Sequence, residues 1–367
     1  MQFKISESMD KVLVYRVGSL GDTVVALPCF HKVREYFPTA DITLLTNRPI
    51  VTKAAPVESV LGSGYFFDRV LNYPIGTRNP LILAKLIGQI RSLGITTVID
   101  LTTARSRMAA QRDRWFFRAA GISRLIGFPT GNKDFDLLDP LTGEYEWEAQ
   151  RLARRLHALG PIALATDQYW DLRFSEKELF AANQALSQFV TEKPILAVSV
   201  GTKMQAKDWG VDNWFELLSQ LKSVLSGWQL VMIGAADEAD LSDTVLKAWN
   251  GAGINLCGQL SPRVSAAVLK RAALFIGHDS GPMHLAGCVG IPCVAIFSAR
   301  VLPRQWYPRG NFNKIIYHKT DCAGCRLEVC IEQRKKCILS ISVAEVQQAV
   351  LEIVNNRSHQ IRLFDLS

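Results

Sequence analysis

No stretch of the 367-residue chain reaches the roughly 18 uninterrupted apolar residues of a membrane span. The longest candidate, "AALFIGHDSGPMHLAGCVGIPCVAIF", is interrupted by His278, Asp279, Pro282 and His284. The N-terminus, "MQFKISESMDKV", lacks the apolar core of a signal peptide. Both absences lead to the expectation of a soluble cytoplasmic protein, with peripheral contact at a membrane surface left open. Low-complexity tracts and short-period repeats are missing too, which excludes fibrous and disordered classes. No G-x-G-x-x-G follows the first apolar run, which argues against a dinucleotide oxidoreductase.

What is present is an ordinary globular composition, 48% hydrophobic and 21% charged, on a length that suggests two domains. The formal net charge of +8 favours acidic partners such as nucleotides, anionic lipids, phosphorylated glycans or nucleic acid, and does not choose among them. Strand-like and helix-like segments alternate: "KVLVYRV", then "TVVALPCFHKVREYF" with Pro28 as a potential kink, then "DITLLTN" and onward to "RLIGFP". A polar, turn-rich stretch follows, and Ser175 with Glu178 forms a capping-box signature. From "PILAVSV" the same alternation restarts. This predicts an α/β protein of two Rossmann-like domains with parallel sheets facing a central cleft. The crossing between them is placed near 170–194, with domains over 1–172 and 173–340 and a terminal segment over 341–367. Ligands in such sheets bind beyond the carboxyl ends of the strands.

The motifs cluster at those ends. In "FIGHDSGPMHLAG" a buried strand meets a tight loop, and Pro282 sits where a first helical residue belongs. The amides of Gly281, Met283 and His284, with Asp279 and Ser280 as caps, suit a phosphate or diphosphate; the alternative is a well-capped helix with a core histidine. "GTKMQAKDWG" follows a strand end and carries Lys203 and Lys207, either of which could neutralise a leaving diphosphate or simply be solvated. Trp209 reads as a packing residue. Asp237 and Glu238 open a helix after another strand, through the helix dipole alone or as acceptors for sugar hydroxyls. In "ARSRMAAQRDRWFFRAAG", helical spacing puts Arg107, Arg114 and Arg118 on one face and Arg105 and Arg112 on the other. That is either a solvated face or a clamp for acidic acceptor groups. Finally, Cys322, Cys325, Cys330 and Cys337 follow a C-x2-C-x4-C-x6-C spacing. They suit a structural zinc or iron ion, or remain reduced and metal-free.

"VYRVGSLGDTVVALP" together with "FIGHDSGPMHLAGCVGIPCVAIF" resembles glycosyltransferase family 9, the ADP-heptose:lipopolysaccharide heptosyltransferases, and the cysteine-bearing tail is similar to a segment in many members. The resemblance runs from Lys11 to about Val354. It implies a GT-B fold and inverting transfer of a heptose or related sugar from a nucleotide diphosphate donor, ADP-heptose, to a hydroxyl of the lipopolysaccharide inner core. The first domain would bind the acceptor, at Gly21 and the arginines, and the second the donor. The terminal helix would cross back to the first domain. The family's catalytic aspartate falls on Asp22, its phosphate-binding lysine on Lys207, its nucleoside-recognising acid on Glu238, and its second phosphate loop on Asp279, Ser280, Gly281 and His284. One departure is Gly210, where many members have proline. No cofactor is implied for catalysis, and the partners implied are the donor and an acidic glycolipid, not nucleic acid.

A carboxylate at Asp22 would repel a phosphate but suits a general base, or a helix N-cap. Two alternatives stay open: the same fold using another donor or a non-lipopolysaccharide glycan or protein acceptor, and a non-catalytic nucleotide-sugar-binding protein.

Overall fold

The computed structural model describes residues 10–48, 55–74, 76–103, 106–131, 134–135 and 137–364, with side chains of the last helix described to 356. Arg105 lies outside the described residues. The chain forms two compact units, Met1–Leu137 with Glu148–Arg173, and Leu138–Trp147 with Phe174–Ser367. The second unit therefore takes up a ten-residue segment that the expected boundary at 172 leaves in the first.

The first unit holds β1 (Lys11–Tyr15), α1 (Leu20–Val25), α2 (Leu27–Tyr36), β2 (Asp41–Asn47), α3 (Val57–Leu61), β3 (Arg69–Tyr73), α4 (Pro80–Ser92), β4 (Thr97–Asp100), α5 (Arg107–Ala119), β5 (Arg124–Ile126) and α6 (Glu148–Arg155). Its sheet order is β3-β2-β1-β4-β5, and every pairing is parallel. Val12, Leu13 and Val14 are fully buried, as expected of a parallel strand covered on both faces. The single helix expected over "TVVALPCFHKVREYF" is two. Pro28 lies in the first turn of α2, where its missing N–H costs nothing, and the break falls at Ala26.

The second unit holds α7 (Glu176–Ala185), β6 (Ile195–Ser199), α8 (Val211–Val224), β7 (Gln229–Met232), α9 (Ala239–Leu246), β8 (Gly253–Asn255), α10 (Pro262–Leu269), β9 (Leu274–His278), α11 (Gly281–Cys288), β10 (Cys293–Phe297), β11 (Lys314–Tyr317), α12 (Lys336–Leu339) and α13 (Val343–Phe364). Its parallel sheet runs β11-β10-β9-β6-β7-β8. Read from the other edge and numbered within the unit, this is the 3-2-1-4-5-6 order of a doubly wound sheet. Order reverses between β1 and β4 in the first unit and between β6 and β9 in the second. The predicted capping box opens α7: the Ser175 N–H donates to Glu178 Oε2 at 2.8 Å, and the Glu178 N–H to Ser175 Oγ at 3.3 Å.

The core of the second unit is built on Trp209, Trp214, Leu217, Leu221 and Trp249, all with no exposure, and α13 adds Val346, Val350 and Ile353 to it. α13 packs against α8, β10 and β11 within this unit; its return toward the first unit stays an expectation. Among the described residues no helix is long and apolar enough to cross a membrane.

Leu217 is fully buried and its neighbour Phe215 is 43% exposed. Leu217→Ala is expected to destabilise the second unit by about 2–5 kcal/mol, and Phe215→Ala by much less. Urea unfolding followed through tryptophan fluorescence checks both.

Candidate functional site

In the first unit the sequence feature is a strand that ends in "RVGSLGD". Gly18 takes φ +142°, and a Cβ built on it would lie 2.7 Å from Asp22 Cβ and 2.9 Å from Asp22 Oδ2. Only glycine leaves room for this carboxylate. The helix cap is Ser19 rather than Asp22, which sits in the first turn of α1. The Ser19 N–H and Oγ–H both donate to Asp22 Oδ2 at 2.6 Å. One carboxylate oxygen is thus pinned. The other, Oδ1, lies 3.9 Å from the guanidinium of Arg16, and the side chain retains 21% exposure. Gly21, in the same turn, is buried.

Arg16 has no exposure at all. Its guanidinium donates to the carbonyls of Leu101, just past β4, and of Asp22 itself, so it spans the β1–β4 switch point. Burial lowers its pKa, opposed by the charges of Asp22 and Glu148. Beside it, Arg155 pairs with Asp100 at 2.6 Å, and Arg151 with Glu148 at 2.6 Å. Both arginines also donate to the Thr102 carbonyl, fixing α6 against the end of β4. The sequence reading treats Arg16 as part of a strand; an arginine closing an otherwise apolar strand is the signal that could have found it.

The three arginines of α5 are not gathered into one clamp. Arg107 lines a polar pocket with Gln111, Pro129, Thr130, Gly131 and Phe135. Arg114 leans on the Pro129 carbonyl at 3.5 Å, and Arg118 donates to the Ser123 carbonyl at 2.7 Å.

In the second unit the residues expected to bind a donor do converge. Lys207 closes a short 3-10 turn after β6. Its Nζ donates to Asp279 Oδ2 at 2.6 Å and to the Asp279 carbonyl at 2.9 Å. His284 Nε2 lies 3.7 Å from Asp279 Oδ1. Burial alone would raise the Asp279 carboxyl, but the charge of Lys207 and the contact with His284 outweigh it and hold it far below the usual carboxylate range. The acid is therefore an anion, held against Lys207.

Ser280 caps α11, yet its Oγ is buried without a partner; Ser199 Oγ and Ser298 Oγ, at the ends of β6 and β10, share that state. The His284 N–H, expected among the free amides, is taken by the Ser280 carbonyl at 3.3 Å. Glu238 accepts from the Ala235 N–H at 2.8 Å and lies across the ends of β6 and β7. A Cβ on Gly201 would fall 2.0 Å from its Cδ, and one on Gly234 2.4 Å from Oε2.

His278, the last residue of β9, is a positioning residue that the sequence reading notes only as an interruption. It is fully buried. Its Nε2 accepts the Trp209 N–H at 3.2 Å and its Nδ1 faces the Gly201 carbonyl at 3.4 Å. It thereby ties the Lys207 loop to the strand that carries Asp279. The signal was an imidazole inside an apolar strand next to an acid. Gly210 has φ +98°, a conformation closed to proline, so this loop follows a path that the proline of other members could not take.

The cysteine segment buttresses the same loop. The Ala206 N–H donates to the Glu328 carbonyl at 3.0 Å, the Cys330 N–H to Gln205 Oε1 at 2.8 Å, and Lys335 Nζ to Asp208 Oδ2 at 3.0 Å. Cys322, Cys325, Cys330 and Cys337 line one small cavity and are free thiols. Burial raises the Cys337 thiol. Among the described residues no group of three or more His, Cys, Asp or Glu side chains stands close enough to hold a metal ion.

The pattern of glycosyltransferase family 9 (heptosyltransferase) matches residues 145–336, more than half of the chain. The chain belongs to glycosyltransferase family 9. It is similar to lipopolysaccharide heptosyltransferase 3 of Escherichia coli, 24% identical over 80% of this chain and 87% of the relative. It is also similar to lipooligosaccharide heptosyltransferase 2 of Campylobacter jejuni, 24% identical over 94% and 99%. The solved structure of E. coli ADP-heptose LPS heptosyltransferase II superposes with a TM-score of 0.64 at 18% identity, covering 95% of this chain and 99% of that one. The fold is GT-B, as the sequence resemblance implied, and this family 9 protein is a glycosyltransferase.

His278 carries a pH consequence. Burial lowers its imidazole from 6.5 to about 4. The unfolded chain binds a proton near pH 6.5 and the folded chain does not until near 4, so stability is expected to fall as pH drops through that window. The loss is about 3 kcal/mol by linkage. Thermal unfolding between pH 7 and 4 checks it: His278→Gln should show a distinctly flatter pH dependence than the native chain, whatever its stability at neutral pH.

Proposed function

We propose that the enzyme transfers a heptose, with inversion, from ADP-heptose to a hydroxyl of the lipopolysaccharide inner core. The observation that carries the donor assignment is the gathering of Lys207, Ser280, His284 and the free amides of α11 around the Asp279 carboxylate at the β6–β9 switch point. Donor binding to the second unit places the diphosphate at this helix start, where the amides and the lysine ammonium meet negative charge. Glu238, in its glycine cradle, takes hydroxyls of the nucleoside. The names of the relatives and of the solved ADP-heptose enzyme support this choice of sugar and acceptor.

In the reaction the acceptor oxygen forms a bond to the anomeric carbon on the face opposite the leaving group. The bond from that carbon to the diphosphate oxygen breaks, and its electron pair leaves with ADP. Asp22 Oδ1 takes the acceptor proton, while Oδ2 stays held by Ser19. Lys207 and α11 stabilise the charge growing on the diphosphate. Arg107, with Arg114 and Arg118 nearby on α5, is assigned to acidic groups of the acceptor.

Two variants separate these roles. Asp22→Asn is expected to lower kcat by about 10²-fold or more with ADP affinity unchanged. Lys207→Ala is expected to weaken ADP binding by about 1–3 kcal/mol. Titration calorimetry and single-turnover transfer read both, and full turnover in Asp22→Asn would reduce that residue to a capping partner.

The cysteine segment is assigned to support of the Lys207 loop. The donor set, four soft thiols on one cavity, suits zinc or iron by chemistry, but the thiols would have to close in to coordinate an ion. If they do, elemental analysis should find about one metal per chain, Cys325→Ser should lose it, and ADP affinity should fall with it because Gln205 and Ala206 lean on this segment. A fully folded, metal-free protein with native ADP affinity would remove the metal and leave the hydrogen-bonded brace.

A further inference from the structure

Met108 and Trp115, on the outer face of α5, take no part in the site described above. Met108 is 84% exposed and Trp115 68% exposed. They are seven residues apart, so they stand nearly in line on one face of the helix. The same spacing puts Arg107, Gln111 and Arg118 along one flank of that line and Arg112 along the other, all four exposed. The acid of this helix, Asp113, is buried on the opposite side and accepts from Arg112 Nε at 3.1 Å. The exposed face therefore combines an apolar centre with Arg107 and Arg118 on one flank and, on the other, Arg112 ion-paired to the largely buried Asp113.

We infer that this face of α5 rests on an anionic membrane surface. Trp115 and Met108 would enter the boundary between headgroups and acyl chains, where an indole finds both an apolar and a polar environment. The flanking arginines would lie at the level of the lipid phosphates, their stems alongside the apolar residues. A second copy of the chain is a poor occupant, because a two-fold contact would set arginines of one face against arginines of the other. An apolar face rimmed by arginines is complementary to an anionic interface. The pocket lined by Arg107 and Gln111 opens on the same flank, so a membrane-borne acceptor's headgroup would enter beside the residues that touch its bilayer. This placement rests on the reading of the acceptor as a glycolipid.

The test is co-sedimentation with vesicles of phosphatidylcholine alone and of phosphatidylcholine with phosphatidylglycerol, at low and raised salt. The native chain is expected to bind the anionic vesicles preferentially, less so as salt rises. The double variant Met108→Ser with Trp115→Ser should lose about tenfold or more in vesicle affinity, and Arg112→Gln should lose about fivefold and show a weaker salt dependence. All three positions are exposed, and circular dichroism confirms the fold of each variant. Transfer to a delipidated, water-soluble acceptor should be unchanged in the double variant, while transfer to vesicle-embedded acceptor falls. Vesicle binding that is equal in the native chain and the double variant overturns the inference. So does a native dimer that the double variant abolishes, which would assign the face to a second copy. Binding is scored without any sugar donor, so a failure of transfer from ADP-heptose overturns the functional reading alone.

Discussion

Each unit places a cation, fully buried in the first and part-buried in the second, across the point where its strand order reverses. In the second unit it is the Lys207 ammonium, 2.6 Å from Asp279 and bonded to that residue's carbonyl as well. In the first it is Arg16, which joins the carbonyl beyond β4 to the turn that holds Asp22. Parallel strands end with their carbonyls and loops pointing the same way, and at a switch point the two neighbouring loops diverge to opposite faces. A cation there gives the diverging loops a common partner. Desolvating it is costly, and a buried charge persists only with partners that satisfy it. In the proposed donor complex, Lys207 keeps a third ammonium proton for the diphosphate beyond the two given to Asp279.

Neutral groups then set the loops that carry these charges. His278 stays uncharged because it is fully buried, and as a neutral ring it can accept from Trp209 on one side while facing a carbonyl on the other. A protonated ring could not accept. The Trp209, Trp214 and His278 rings meet edge to face at 5.1 and 5.2 Å, so the Lys207 loop is anchored to the densest part of its core. From the outside the cysteine segment shares four further hydrogen bonds with the same loop. The lysine is thus positioned from two sides by groups that do not themselves contact the ligand.

Local pattern carried much of this into the sequence. The alternation of apolar runs and helices, the Ser175–Glu178 box and the Pro282 start of α11 all depend on neighbours in the chain, and they are legible there. Asp22, Lys207, Glu238 and Asp279 were legible as individual residues at strand ends. Their partners were not. Lys207 and Asp279 are 72 residues apart in the chain, and Arg16 meets Leu101 only because β1 lies beside β4. The arginine stripe of α5 was read correctly as a shared face, but helical spacing says nothing about which member turns toward a pocket and which toward a carbonyl. The proline-to-glycine departure at position 210 becomes intelligible only with its positive φ.

The opening loop shows how an acid can serve two ends of one structure. Asp22 sits in the first turn of α1, at the positive end of the helix dipole. Its Oδ2 accepts from the Ser19 amide and hydroxyl, and the absence of a side chain at Gly18 lets it do so. Those two bonds fix the torsion of the carboxylate and consume one oxygen. Oδ1 keeps a free lone pair, with only the distant edge of Arg16 near it. A cap that used both oxygens would be a poorer base, and a base with neither oxygen held would have to be ordered at the moment of reaction. The same helix start with a neutral amide in place of the acid would keep the cap and lose the base. In the proposed reaction, what would make Asp22 a base rather than only a capping partner is the single oxygen that the fold leaves unspent.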